Sequence, residues 1–261
     1  YTGEDTLSLH DALPIYAEQS YSGQGGKTQT NTEKTWGVFG KADVLTQEDK
    51  LHSIEESDEY PDQLKELAEK NSETIDFVYD YPEMKDKKQT IDLSQEAKTD
   101  TVPLLLQWDE RWGYETYGSD FLAVTGCGPT CLSMITCGLT GSETWNPLAV
   151  AQFSEKEGYY VPGEGTSWSL MTEGANNLGL TAENIPVTQE NILAALRSGI
   201  PLICSMYPGD FTYTGHFIVL TGIDENGAIT VNDPNSPANT KKHWSMTEIL
   251  PQIRQSWGYR T

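Results

Sequence analysis

The stretch Gly126-Cys127-Gly128-Pro129-Thr130-Cys131-Leu132-Ser133-Met134-Ile135 decides how the chain reads. Pro129 has a fixed φ and no backbone N–H, so it fits the first turn of a helix and little else in one. Leu132, Met134 and Ile135 follow with the apolar spacing of a buried helix, and Gly138 is its predicted stop. Cys127 therefore falls at or just before a helix N-terminus, where the backbone N–H groups and the macrodipole favour an anion. A cysteine there is expected to have its pKa lowered from about 8.5, making a thiolate available near neutral pH. The two flanking glycines are expected to leave the sulfur uncrowded and let the backbone approach a substrate closely.

A nucleophilic thiol needs a base, and the base needs a group to orient it. The chain has four histidines. His10 and His52 lie in polar N-terminal sequence, and His243 follows Lys241-Lys242. His216 differs, because it opens His216-Phe217-Ile218-Val219-Leu220-Thr221-Gly222, a β-branched run that reads as a buried strand. A second strand is predicted over Ala228 to Pro234, after an Asp224-Glu225-Asn226-Gly227 turn, which makes the pair a hairpin. His216 starts the first strand and Asp233 ends the second, so the carboxylate can reach the imidazole. Asn232 is adjacent and could serve as well. Side chains alternate across a strand, so only the one on the face of His216 can do so.

The order Gln107, Cys127, His216, Asp233 resembles the papain-like cysteine peptidases. The strings "GCGPTC", "TGHFIVLTG" and "VNDPN" resemble the C-thirty-nine-like branch, which is related to bacteriocin-processing peptidases; the resemblance covers about residues 103 to 261. It implies that Cys127 is the nucleophile, His216 the base, Asp233 its orienter, and Gln107 a contributor to the oxyanion hole. Gln107 lies further upstream of the cysteine than its counterpart in papain. The implied activity is hydrolysis of peptide bonds through an acyl-enzyme, without a cofactor, on a peptide or protein substrate. Acyl transfer to an amine would use the same triad, and a catalytically idle binding module is the reading from another class. The double-glycine specificity of transporter-fused relatives is not implied.

The implied fold class is α+β: a papain-like fold with the thiol-bearing helix packed on an antiparallel sheet. The order of elements agrees, with helices first and strands later. Helices are predicted from Asn146-Pro147 to about Glu155, from Ser167 to Gly179, from Gln189 to Arg197, and from the capping-box pattern Ser245-Met246-Thr247-Glu248. Ile200 to Met206 reads as a strand that Pro201 confines to an edge or a strand start. Residues 102–108 read as a strand or an extended lead-in. Trp108, Trp112, Tyr114 and Tyr117 form an aromatic cluster readable as core or as a groove wall.

Three regions are expected along the chain. Residues 1–35 read as a disordered tether, rich in Gly, Ser, Gln and Thr with little apolar to bury; within it "TLSLHDALPI" over 6–15 reads as a translated sequencing adaptor. Residues 36–100 read as an N-terminal helical extension, with a helix over 62–70 stopping at Asn71, and another from Ser72 that ends at Pro82. Residues 101–261 read as the peptidase domain and hold all four cysteines and six of the seven tryptophans. A net charge of −22 argues against nucleic acid and anionic membrane surfaces as partners. No apolar run is long enough to span a bilayer. The cysteine spacing fits neither a disulfide framework nor a zinc site, so Cys131, Cys137 and Cys204 read as small buried hydrophobes. The tether and the family together lead to the expectation of a secreted or cell-surface bacterial protein, with any export signal upstream of this sequence.

Overall fold

The computed structural model describes residues 45–99 and 101–261. The expected tether over 1–35 lies outside them, as do residues 36–44. Four helices come first: α1 (Gln47–Glu56), α2 (Asp62–Lys70), α3 (Ile75–Tyr79) and α4 (Tyr81–Met84). Thr46 opens α1 in a capping box with Asp49, and Asn71 ends α2 as expected. Ser72 begins a 3-10 turn, Ser72–Thr74, that leads into α3. Pro82 does not close that helix; α3 has already ended, and Pro82 stands in the first turn of α4, where its missing N–H costs nothing. Ile54, Leu64, Ala68, Ile75 and Val78 pack together and against Ala123 of the following region.

Residues 102–108 form no strand: 102–106 take no regular structure and 107–108 lie in a turn. Asn232 Nδ2 donates to the carbonyls of Val102 (3.1 Å) and Pro103 (2.9 Å), which ties this segment to the sheet. After it come β1 (Thr116–Tyr117), β2 (Asp120–Phe121), α5 (Leu122–Thr125) and α6 (Cys127–Thr140). The helix α6 runs past Gly138 and stops at Gly141, whose φ of 68° is the left-handed cap that glycine takes readily. Gly138 is glycine for another reason: a Cβ there would stand 2.7 Å from Val102 Cα. The chain continues through α7 (Pro147–Lys156), β3 (Tyr160–Val161) and β4 (Gly165–Thr166). The helix expected from Ser167 is two pieces, a 3-10 turn (Trp168–Met171) and α8 (Glu173–Asn177), broken at Thr172.

The remaining elements are β5 (Thr181–Ile185), α9 (Gln189–Arg197), β6 (Leu202–Met206), β7 (His216–Ile223), β8 (Ile229–Asn232), α10 (Pro237–Lys241), α11 (Met246–Ile249) and β9 (Ile253–Arg260). Five strands pair antiparallel in the order β5-β9-β6-β7-β8. Strand β6 is thus central, and Pro201 stands just before its first residue, where its carbonyl accepts the Tyr259 N–H at 3.2 Å. Strands β5 and β9 were not among the predicted elements. On one face of the sheet, Ile203, Phe217, Val219 and Trp257 meet Leu132 and Ile135 of α6. On the other, Leu202, Cys204, Ile218 and Leu220 meet Ile192 and Leu196 of α9. The α+β expectation holds: helices cover an antiparallel sheet, and α6 is set against β7.

Candidate active site

Cys127 is the first residue of α6, with Gly126 at the cap. Its N–H and that of Gly128 belong to the first turn, where helices leave donors without an internal partner. The flanking glycines are there for space inside the protein. A Cβ at Gly126 would stand 2.4 Å from the Leu122 carbonyl oxygen, and one at Gly128 would stand 2.7 Å from the Thr166 side chain. The expectation that they open the backbone to a substrate is therefore replaced by close packing of α5 and β4 on the helix start. Cys127 is nevertheless partly exposed, while Cys131, Cys137 and Cys204 are buried. Burial pushes the Cys131 and Cys204 thiols far up and that of Cys137 to about 11. Cys131 Sγ lies 3.3 Å from the Phe217 carbonyl, a weak S–H contact that joins α6 to β7 next to His216.

His216 is the first residue of β7 and is buried. Its Nε2 lies 2.7 Å from Asp233 Oδ1. It shares its strand face with Ile218 and Leu220, and Asp233 shares its own with Ile229 and Val231; all four lie in one core cluster. Asn232 points the other way, to Val102 and Pro103. Alternation therefore brings the carboxylate, and not the neighbouring amide, to the ring. Cys127 lies close enough to the ring to add to the preference for its charged form. With Nε2 committed to Asp233, the nitrogen left for the sulfur is Nδ1.

Burial works against a charge on His216, but the Asp233 charge and hydrogen bond, and then Cys127, outweigh it and raise the imidazole from 6.5 to about 10. Burial likewise works to raise Asp233, and is outweighed by His216, Asn239 and the Asn235 N–H, which hold it below the usual carboxylate range. Both carboxylate oxygens are hydrogen-bonded. Oδ1 accepts from the Asn235 N–H at 2.9 Å, Oδ2 accepts from Asn239 Nδ2 at 2.8 Å, and the Asp233 N–H donates to Thr240 Oγ1 at 2.9 Å. Asn239 was not among the predicted site residues. The signal that could have found it is Ser236-Pro237, an N-cap and first-turn pair that opens α10 three residues after Asp233.

Gln107 is buried beside the same loop, with its N–H donating to the Pro234 carbonyl at 2.8 Å. Its side-chain Nε2 donates to the Ala123 carbonyl at 2.7 Å and has a longer contact, 3.3 Å, with that of Val124. Two carbonyls on one side fix the amide with its NH2 toward α5, which leaves Oε1 buried without a partner. Of the aromatic cluster, Trp112 and Tyr117 are fully buried. Tyr117 donates or accepts at Ser154 (2.7 Å) and Thr166 (3.0 Å), and Tyr114 stacks on Phe77 of α3 with ring centres 4.2 Å apart. Trp112 and Tyr117 are core, and Tyr114 is half-buried against the helical extension. Among the described residues no group of three His, Cys, Asp or Glu side chains is arranged to hold a metal, and no helix is long and apolar enough to cross a membrane.

The model of the Peptidase_C39 like family matches residues 99–261. Among solved structures, the chain is similar to a candidate C39-like peptidase from Bacillus anthracis at 15% identity and a TM-score of 0.36, over 62% of this chain and 95% of that one. No curated protein matches the sequence. The helices α1–α4 precede the matched segment, which contains Cys127, His216, Asp233 and Gln107 and runs to the last residue. The chain belongs to the Peptidase_C39 like family.

Proposed function

We propose that the protein is a cysteine peptidase that works through a Cys127–His216–Asp233 triad and an acyl-enzyme. One observation carries the reading: a buried histidine is bonded through Nε2 at 2.7 Å to a fully buried carboxylate, and a partly exposed cysteine at the start of α6 is near enough to bias the charge of its ring. Cys127 Sγ, its proton already passed to His216 Nδ1, attacks the scissile carbonyl carbon. The imidazolium, held charged by Asp233, then protonates the leaving amine. Water, deprotonated by the same ring, releases the acyl group and restores the thiol. The Cys127 N–H and the Gln107 amide are the donors for the oxyanion. One Gln107 proton stays on the Ala123 carbonyl, and the other, on the longer Val124 contact, turns to the developing charge.

The test is digestion of a peptide library by the wild type beside Cys127→Ala, read by mass spectrometry. Cleavage by the wild type and none by the variant is expected. Equal cleavage by both would remove Cys127 from the chemistry. The same spectra separate the addition of water from acyl transfer to an amine by product mass.

A further inference from the structure

Asp233 is aligned by the loop that follows it, and that loop is held by the N-terminal helices. Asn71, at the end of α2, donates from Nδ2 to the Asn235 carbonyl at 2.9 Å and to Asn235 Oδ1 at 3.2 Å. Asn235 in turn gives its N–H to Asp233 Oδ1. Asn71 Oδ1 accepts the Glu73 N–H at 3.0 Å, which sets the next contact. The Glu73 carboxylate accepts from Ser236 Oγ and, at 2.9 Å, from the Ala238 N–H. Ser236 Oγ accepts the Asn239 N–H at 3.1 Å, and Asn239 Nδ2 reaches Asp233 Oδ2. Oδ1 of Asp233 is thus served by a residue that Asn71 grips directly, and Oδ2 by Asn239, whose N–H is held by Ser236, a residue that Glu73 grips.

We propose that Asn71 and Glu73 are positioning residues for the reaction: through Asn235, Ser236 and Asn239 they fix the Asp233 carboxylate on the His216 ring. This rests on the reading of Asp233 as the orienter of His216. Two features favour it over simple attachment of the helices. The helices are already attached by their apolar cluster, which includes Ala123, and by Tyr114 stacked on Phe77. The polar contacts of Asn71 and Glu73 instead fall on Asn235, Ser236 and Ala238, within five residues of the carboxylate. Moreover α10 has five residues, too few to be stable alone, so Asn239 needs an outside support to hold its angle. Bonds to a carboxylate are the strong kind, and Glu73 makes two across this boundary. On this account the helices ahead of the family segment complete the site and do not block it.

Titration of the His216 ring by NMR in the full chain tests this, with the signal assigned by its loss in His216→Gln. Asp233→Asn is expected to lower the midpoint the most. Glu73→Ala and Asn71→Ala should each lower it by about one pH unit, because a loosened carboxylate favours the charged ring less. Glu73→Gln keeps one acceptor and should fall between Glu73→Ala and wild type. Asp76→Ala breaks the Lys50–Asp76 contact between α1 and α3 without touching the loop, and should leave the midpoint in place. Near-ultraviolet circular dichroism checks that each variant is folded, and Glu73→Gln remains informative if alanine there unfolds α10. The proposal is overturned if Asp233→Asn moves the midpoint while Glu73→Ala and Asn71→Ala do not. It is also overturned if Asp76→Ala moves it as far as they do. An unmoved midpoint in Asp233→Asn would instead remove the triad reading beneath it.

Discussion

Among the described residues two histidine–aspartate pairs have the same contact length. His216 meets Asp233 at 2.7 Å, and His243 meets Asp224 at 2.7 Å. The first pair has side chains 7% and 0% exposed, the second 74% and 15%. In the first, both side chains are buried, both carboxylate oxygens accept from named donors, and Cys127 lies close to the ring. In the second, Asp224 chiefly receives the Ala228 and Asn226 N–H groups and so closes the β7–β8 turn, with an exposed histidine added to it. Distance is common to both pairs; burial and the third partner are what separate a reactive arrangement from a surface contact.

The largest expected effects break this comparison outright. His216→Ala should cut turnover of a cleaved peptide by on the order of 10⁴ or more, as removal of a triad base does, whereas His243→Ala should leave kcat unchanged. Steady-state kinetics on the two variants side by side decides this, and a comparable loss in both would make the pairs equivalent. Asp233→Ala is expected to lower kcat severely but less than His216→Ala, on the order of 10²–10⁴, while the peptide's KM stays near the wild-type value. Asp224→Ala should keep full kcat and act only on the stability of the turn. A fully active Asp233→Ala enzyme would contradict the account.

A smaller effect is expected from Gln107→Ala, a loss on the order of 10²–10³ in kcat with native labelling of Cys127. Unchanged kcat would move the oxyanion role elsewhere. The smallest effect is on stability against pH. His216 is raised on folding, so its contribution is complete below the ordinary imidazole value of about 6.5 and is lost as pH rises toward its folded value of about 10. Asp233 is lowered, so its contribution is present above about 3.9 and is lost as pH falls through its folded value. The difference in melting temperature between wild type and His216→Gln should therefore be widest between those two limits and shrink toward pH of about 10. A difference that grows with alkalinity would reverse the sign assigned to the pair.

The same comparison marks what was legible in the chain. Cys127, His216 and Asp233 could be read because each is fixed by a local rule: a proline-started helix, a strand opening, a strand end with its parity. The choice of Asp233 over Asn232 also needed only alternation. What could not be read depends on contacts far apart in sequence. Glu73 and Asn71 meet residues 235 to 238 across more than 160 positions, and no local pattern encodes that meeting. Strand β9 escaped because buried residues are mixed with half-buried polar ones such as Gln255, so it lacks clean alternation. The stop of α6 was misread at Gly138, since a glycine that makes room for Val102 looks the same in sequence as one that ends a helix at Gly141. Asn239 was missed because a five-residue helix leaves no periodic trace.

The central claim is that one thiol, opposite the buried pair, is the reactive one. Brief treatment of the native protein with iodoacetamide, followed by digestion and mass spectrometry, tests it most directly. The account predicts rapid modification of Cys127 with Cys131, Cys137 and Cys204 untouched until the chain is unfolded, because those three are buried and their thiols are held protonated. Labelling of Cys131 first, with Cys127 left intact, would contradict it.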